Sequence, residues 1–267
     1  MNAYFSVLKL RLQLGLQYRA AALAGIATQF FFGFIHIMVF EAFYAHASGT
    51  PPMSLEQLAS YTWLKQAFLA LIVLWFRDNE IFGLITSGNV AYELCRPVSL
   101  YGFWYAKLLA QRISGALLRC FPILLAVFFL PAPYRMQAPP SLASLALFIA
   151  VLAIGLLVIG ALSMLMYISV FYTLSPAGSM LMFVIISDFF AGIILPLPLM
   201  PDWLRQIAEL LPFHLTADFP FRVYTGHIPP EEAVWGIFKQ LAWLAALIVL
   251  GAAWLRKALR RVVIQGG

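Results

Sequence analysis

From Ala21 onward, long apolar runs alternate with short polar segments rich in turn-forming residues. The apolar runs fall at about 21–44, 58–76, 108–130, 142–172, 178–195 and 233–255. Crossing a hydrocarbon core as an α-helix takes roughly 20 residues, so each run is read as a membrane span. The third carries Arg112 and Arg119 in its first half and is the least apolar in outline. The fourth and fifth form one uncharged stretch from Met136 to Ser187, too long for a single crossing. "TLSPAGS" at 173–179 divides it, because Pro and Gly together mark turns. The first twenty residues contain "LKLRLQLGLQYR", which alternates like a strand. A lone strand at a membrane surface would leave its backbone unpaired, so an interfacial helix lying flat over 1–20 is expected, its Lys and Arg toward anionic headgroups. The expected fold is therefore an all-α integral membrane protein, one domain over 1–267 with six transmembrane helices.

Two polar interruptions stand out. The first opens with Arg77, Asp78 and Glu80 and continues "ITSGNVAYELCRPVSLYGFWYAK" over 85–107. Its pattern predicts a short helix over 79–87, broken at Gly88-Asn89, and a second turn, "VAYEL", that stops before Pro97, since the residue before proline resists helix. A short rigid helix held between two spans is a lever that a soluble partner can grip. The second interruption is 196–231, where three prolines stop the fifth span. Asp202 is placed to cap a helix by accepting backbone N–H bonds. Trp203, Leu204, Ile207, Leu210 and Leu211 then make an apolar stripe at helical spacing, and Pro212 ends it. The pattern fits an amphipathic helix dipping into the bilayer from the outer face, or a plain outer loop with a surface helix.

Composition narrows the class. The chain is 63% hydrophobic and 10% charged, whereas a soluble domain has about 25% charged residues. The formal charge of +6 is unevenly placed. With both termini inside, the inner segments hold Lys9, Arg11, Arg19, Arg77, Arg96, Lys107, Arg112 and the tail Arg256, Lys257, Arg260 and Arg261. The outer loops hold only Arg135, Arg205 and Arg222, which predicts cytoplasmic termini. Four clustered tail cations are too few for a nucleic-acid face. Cys95 and Cys120 lack any CxxC or Cys/His ligand spacing, so neither a disulfide framework nor a zinc site is expected. No small-residue cleavage site precedes the first run, so no cleaved leader is expected.

Candidate chemistry is sparse. There is no GxxxxGK[ST] and no GxGxxG after a strand, and none of His36, His46, His214 and His227 belongs to an HExxH. His214 and Asp218 are spaced to meet on one helical face, a pairing more often incidental. No catalytic residue is assigned, and an embedded enzyme would need a cluster of reactive side chains near one membrane face. Asp188 is the one acid deep within a span, where it must face protein or water. It reads either as a residue of a conduit or as a structural hydrogen-bonder. Glu41 and Lys65, nearer the outer ends of their spans, are expected to snorkel.

The segment 85–107, with a Gly turn ahead of Leu94-Cys95-Arg96-Pro97, resembles the cytoplasmic connection between spans two and three of ABC type-2 transporter permeases. "ILPLPLMPDWLRQIAELLPF" resembles that family's proline-rich outer region after span five, and the six-span layout agrees along nearly the whole chain. The alternating N-terminus departs from the family's usual interfacial helix. The resemblance implies a subunit of the prokaryotic plasma membrane that dimerises with an identical or related permease chain. Two separate ABC ATPase subunits would dock beneath it and carry ATP and Mg, so no cofactor is expected on this chain. It implies that Glu80, Ile81, Ile85, Gly88, Asn89 and Glu93 lie at or near the ATPase contact, with Arg96 and Pro97 fixing the lever's exit. It implies export of an amphipathic or lipid-like substrate. The alternative from another class is an ion- or proton-coupled carrier using Asp188, against which stand the absence of an internal repeat and of further deep acids.

Overall fold

In the computed structural model, residues 19–46 and 49–260 are described, together with isolated positions in the first eighteen residues. The flat helix expected over 1–20 falls almost wholly outside them. Eleven helices follow in order: α1 (Arg19–Ala45), α2 (Leu55–Ala67), α3 (Leu69–Ile72), α4 (Asn79–Thr86), α5 (Val90–Leu94), α6 (Leu100–Val127), α7 (Leu142–Thr173), α8 (Pro176–Phe190), α9 (Asp202–Leu210), α10 (Asp218–Tyr224) and α11 (Pro230–Leu259). Short 3₁₀ turns occupy Leu197–Leu199 and Phe213–Thr216, and no strand occurs among the described residues. The starts of five helices are written locally. Ser54, Asp78, Ser99, Ser141 and Ser175 each accept a backbone N–H from the first turn that follows. Ser54 does so in a capping box with Gln57.

Among the described residues, four helices are long and apolar enough to cross a membrane: α1 from Leu23, α6, α7 and α11. α7 is the axis. It packs along α11 and also touches α6, α8 and α10. Its own Val158, Ile159, Ala161, Met164, Met166 and Tyr167 are fully buried. α1 lies against α2, and Gly33 makes that approach possible: a Cβ there would fall 2.2 Å from the Trp63 ring.

The other two expected spans are not single helices. The run 58–76 begins as α2, breaks after Ala67, resumes for one turn as α3 and leaves helical geometry at Val73. The break is stabilised from outside. Arg112 of α6 is 1% exposed, and its Nη1 donates to the carbonyls of Ala70, Leu71 and Val73 at 3.4, 3.3 and 2.6 Å. Its Nη2 donates to Ser163 Oγ at 2.9 Å. A guanidinium with several fixed donors suits carbonyls that a broken helix cannot pair. Arg112 is thus a structural plug. α6 itself starts at Leu100, earlier than the expected 108, because Ser99 caps it.

The fifth span is also shorter than expected. α8 has 15 residues and stops at Phe190, where the expected run continued to about 195. Gly192, at φ +75°, turns the chain back. The returning segment is pinned through Asp218, which is fully buried. Its Oδ1 accepts the Leu197 N–H at 3.0 Å and faces the Tyr61 hydroxyl at 3.1 Å, while Arg222 donates to Oδ2 at 3.3 Å. Lys65 does not snorkel: it is 4% exposed and donates to the Ile193 carbonyl at 3.0 Å. Glu41 accepts from the Tyr134 hydroxyl at 3.0 Å. His214 and Asp218 do not pair, since His214 Nδ1 bonds the Leu211 carbonyl instead.

Candidate functional site

The segment joining α3 to α6 holds α4 and α5, the short helices expected to act as a lever. Asp78 caps α4 by accepting the Glu80 N–H at 2.9 Å, which places a carboxylate at the helix's positive end. The Asp78 backbone N–H donates in turn to the Tyr167 hydroxyl of α7 at 2.6 Å. Lys107, in the second turn of α6, reaches both acids, at 2.6 Å from Glu80 Oε2 and 3.3 Å from Asp78 Oδ2. Gln111, one turn further on, donates to the Arg77 carbonyl at 3.0 Å. The start of the lever is therefore tied to α6 by a cation and an amide, and to α7 by a phenol.

The same helix is packed as well as tied. Ile81, Phe82 and Ile85 are buried among Trp104, Leu108 and Tyr167, and the Phe82 and Tyr167 rings stand 4.5 Å apart. α4 ends as expected at the Gly88 break, where φ is +75° and no side chain crowds the site. A residue with a Cβ is strained in that conformation, so the glycine is there for its backbone freedom. After it, Asn89 is exposed and leads into α5. Val90 points inward, Tyr92 and Leu94 outward at 74% and 48% exposure. Glu93 is buried and pairs with Arg96 at 3.1 Å, and the Arg96 guanidinium also sits 5.3 Å from the Phe103 ring centre. Arg96 thus links α5 to the first turn of α6. Pro97 is exposed beside it, in the bend before Ser99.

Ile81 and Ile85, expected at or near a partner contact, are 0% and 5% exposed and seat α4 against α6 and α7 within this chain. The outward face is built from Asn79, Gly83, Thr86, Asn89, Tyr92 and Leu94, with the exposed side of Glu80. Lys107, Gln111 and Tyr167 were not singled out from sequence. Only Lys107 carried a signal: a lone lysine near the start of an apolar helix needs an anion, and Glu80, the acid it bonds, precedes it by 27 residues.

Asp188 lies on α8, half-buried, with Oδ1 shielded from solvent and hydrogen-bonded to no protein group among the described residues. Asp202 does not cap α9. It is the first helical residue, with Pro201 at the cap, and it pairs with Arg205 at 2.9 Å. Trp203, Ile207 and Leu210 of α9 are exposed on one stripe, while Leu204 and Ala208 pack inward on Leu197 and Met200. Pro212 follows the extended Leu211 and opens the second 3₁₀ turn. Among the described residues, no three of His, Cys, Asp or Glu gather closely enough to hold a metal ion.

Residues 30–266 match the family model described as ABC-2 family transporter protein. No curated protein and no solved structure matches the chain.

Proposed function

The chain belongs to the ABC-2 transporter family, a family of membrane permease subunits, and from that premise we propose that it moves an amphipathic or lipid-like substrate outward across a prokaryotic plasma membrane, driven by ATP hydrolysis on separate ATPase subunits. In this reading the chain crosses six times, four times by long helices and twice by the broken segments α2–α3 and α8 with its return. Both termini are cytoplasmic, and a second permease chain completes the unit. ATP and Mg are held by the partner ATPases.

The observation that carries the coupling reading is the double clasp of α4. A push on its outward face passes through Lys107 to α6 and through Tyr167 and Phe82 to α7. α7 packs along α11, so movement of the lever reaches the centre of the bundle without a flexible joint. Glu80, Asn89 and the exposed side of α5 offer the ATPase its contact, Gly88 allows the bend, and Arg96 with Pro97 holds the exit.

The test is co-expression with candidate ATPase subunits, followed by isolation of a detergent-stable complex with ATPase activity. Tyr92→Asp and Leu94→Asp, both outward, should abolish the complex while membrane insertion stays intact. Full assembly and transport by both variants would sink the assignment of this face. The ion-coupled alternative draws on the orphaned Oδ1 of Asp188. It requires solute movement in vesicles supplied with an ion gradient and no ATP, abolished by Asp188→Asn.

A further inference from the structure

A cavity of about 370 Å³ lies between α1, α2 and the turn after α8. Its lining includes Gln29, Phe32, His36, Lys65, Gln66 and Ile194. Polar side chains at this depth are costly unless satisfied. Gln29 and Gln66 are 7% and 4% exposed, yet neither amide hydrogen-bonds to any protein group among the described residues. Lys65 is equally buried and donates to one backbone carbonyl, leaving two ammonium hydrogens, and no carboxylate lies within salt-bridge distance of it among the described residues. His36 Nδ1 is engaged by the Phe32 carbonyl at 2.7 Å, which leaves Nε2 for another partner. Phe32 and Ile194 are 47% and 57% exposed, so the cavity has an open apolar rim.

We propose that this cavity binds the acidic headgroup, a phosphate or carboxylate, of a membrane amphiphile that enters sideways past Phe32 and Ile194. The headgroup supplies the countercharge that the protein does not offer the Lys65 ammonium, and the two amides supply further donors to the same oxygens. The volume is at the lower end of what small-molecule sites occupy, enough for a headgroup and the first methylenes of a tail. The tail remains in lipid against the rim. The proposal rests on reading the chain as a permease for amphiphiles and names the chemistry that such a substrate must carry.

Binding can be measured without ATPase subunits or nucleotide, so its outcome is separate from that of the transport test. The full chain is placed in phosphatidylcholine nanodiscs with a photoreactive phosphatidic acid, or with a phosphatidylcholine probe carrying the same tail label. Peptides covering 28–36 and 65–69 should be labelled about tenfold more by the acidic probe. Lys65→Met should reduce that labelling to the level of the zwitterionic probe, and Lys65→Arg should retain it. Since Lys65 also bonds Ile193, thermal unfolding is followed in parallel. If Lys65→Met does not fold, the double variant Gln29→Leu, Gln66→Leu carries the test, with a severalfold loss expected. Dodecyl phosphate should compete and inorganic phosphate should not. Equal labelling by both probes, or labelling untouched by the folded variants, overturns the proposal. Equal competition by inorganic phosphate also overturns it, by assigning the cavity to a soluble anion.

Discussion

Arg112 shows how a charge can be structural in a membrane. Its guanidinium is fully buried, yet its work is done on neutral partners: three backbone carbonyls and a serine hydroxyl. Replacing it by leucine leaves those carbonyls without donors in a setting with little water. Arg112→Leu should therefore lower the stability of the folded chain by about 3 kcal/mol. Arg112→Lys should recover only part of that loss, because an ammonium cannot reproduce the planar fork. Thermal unfolding of the purified chain in detergent reads both, and an unchanged midpoint for Arg112→Leu would rule out the plug. The sequence offered Arg112 only as a blemish on the third span. Its carbonyl partners precede it by 39 to 42 residues and Ser163 follows it by 51, so no local pattern encodes the pairing. Tyr61 and Asp218 were illegible for the same reason, being 157 positions apart.

Among the elements, most helix starts were legible from the edges of the apolar runs, although α6 begins at Leu100 and not 108 and the one cap read from sequence, Asp202, is not a cap. The division between α7 and α8 follows from Ser175 and Pro176 within "TLSPAGS". The two halves of the lever and the Gly88 break were equally readable, because glycine and proline act through the local backbone. The fracture of the second span was not. "FLALIVLWF" contains no glycine or proline, and its departure from helix is a tertiary effect of Arg112. Which face of the lever points outward was also hidden, since Ile81 and Ile85 suit a partner groove as well as a core. Lys107 tests the clasp at this scale. Lys107→Met in the assembled transporter should retain ATPase binding, because the outward face is intact, and reduce transport per ATP hydrolysed. Arginine at 107 should restore part of the coupling. A variant with wild-type coupling ratio would show that the Asp78–Lys107–Glu80 link carries no force.

For the molecule as a whole, the charge asymmetry predicts an orientation that the natural cysteines can report. Cys95 is exposed on the lever side, and Cys120 is buried within α6. In sealed right-side-out vesicles, a membrane-impermeant maleimide should leave Cys95 unlabelled until the vesicles are opened. A cysteine introduced as Thr50→Cys, in the exposed turn between α1 and α2, should label at once. Labelling of Cys95 in sealed vesicles would invert the topology and place the lever away from any cytoplasmic ATPase. The helical membrane class was legible because hydropathy and turn placement are properties of whole segments, and the ABC-2 family through the resemblance carried by 85–107 and the proline-rich outer region.

The plug at Arg112 also imposes an order on synthesis. A chain leaves the ribosome from its N-terminus, so the carbonyls of Ala70, Leu71 and Val73 emerge about forty residues before the guanidinium that completes them. During that interval the segment has no finished form inside lipid and must wait at a hydrated edge or within the insertion machinery. In the six-crossing reading, the first and second crossings therefore cannot be released into the bilayer as an independent pair. They are retained until the third arrives, and a nascent chain halted before residue 112 should remain bound to its insertase.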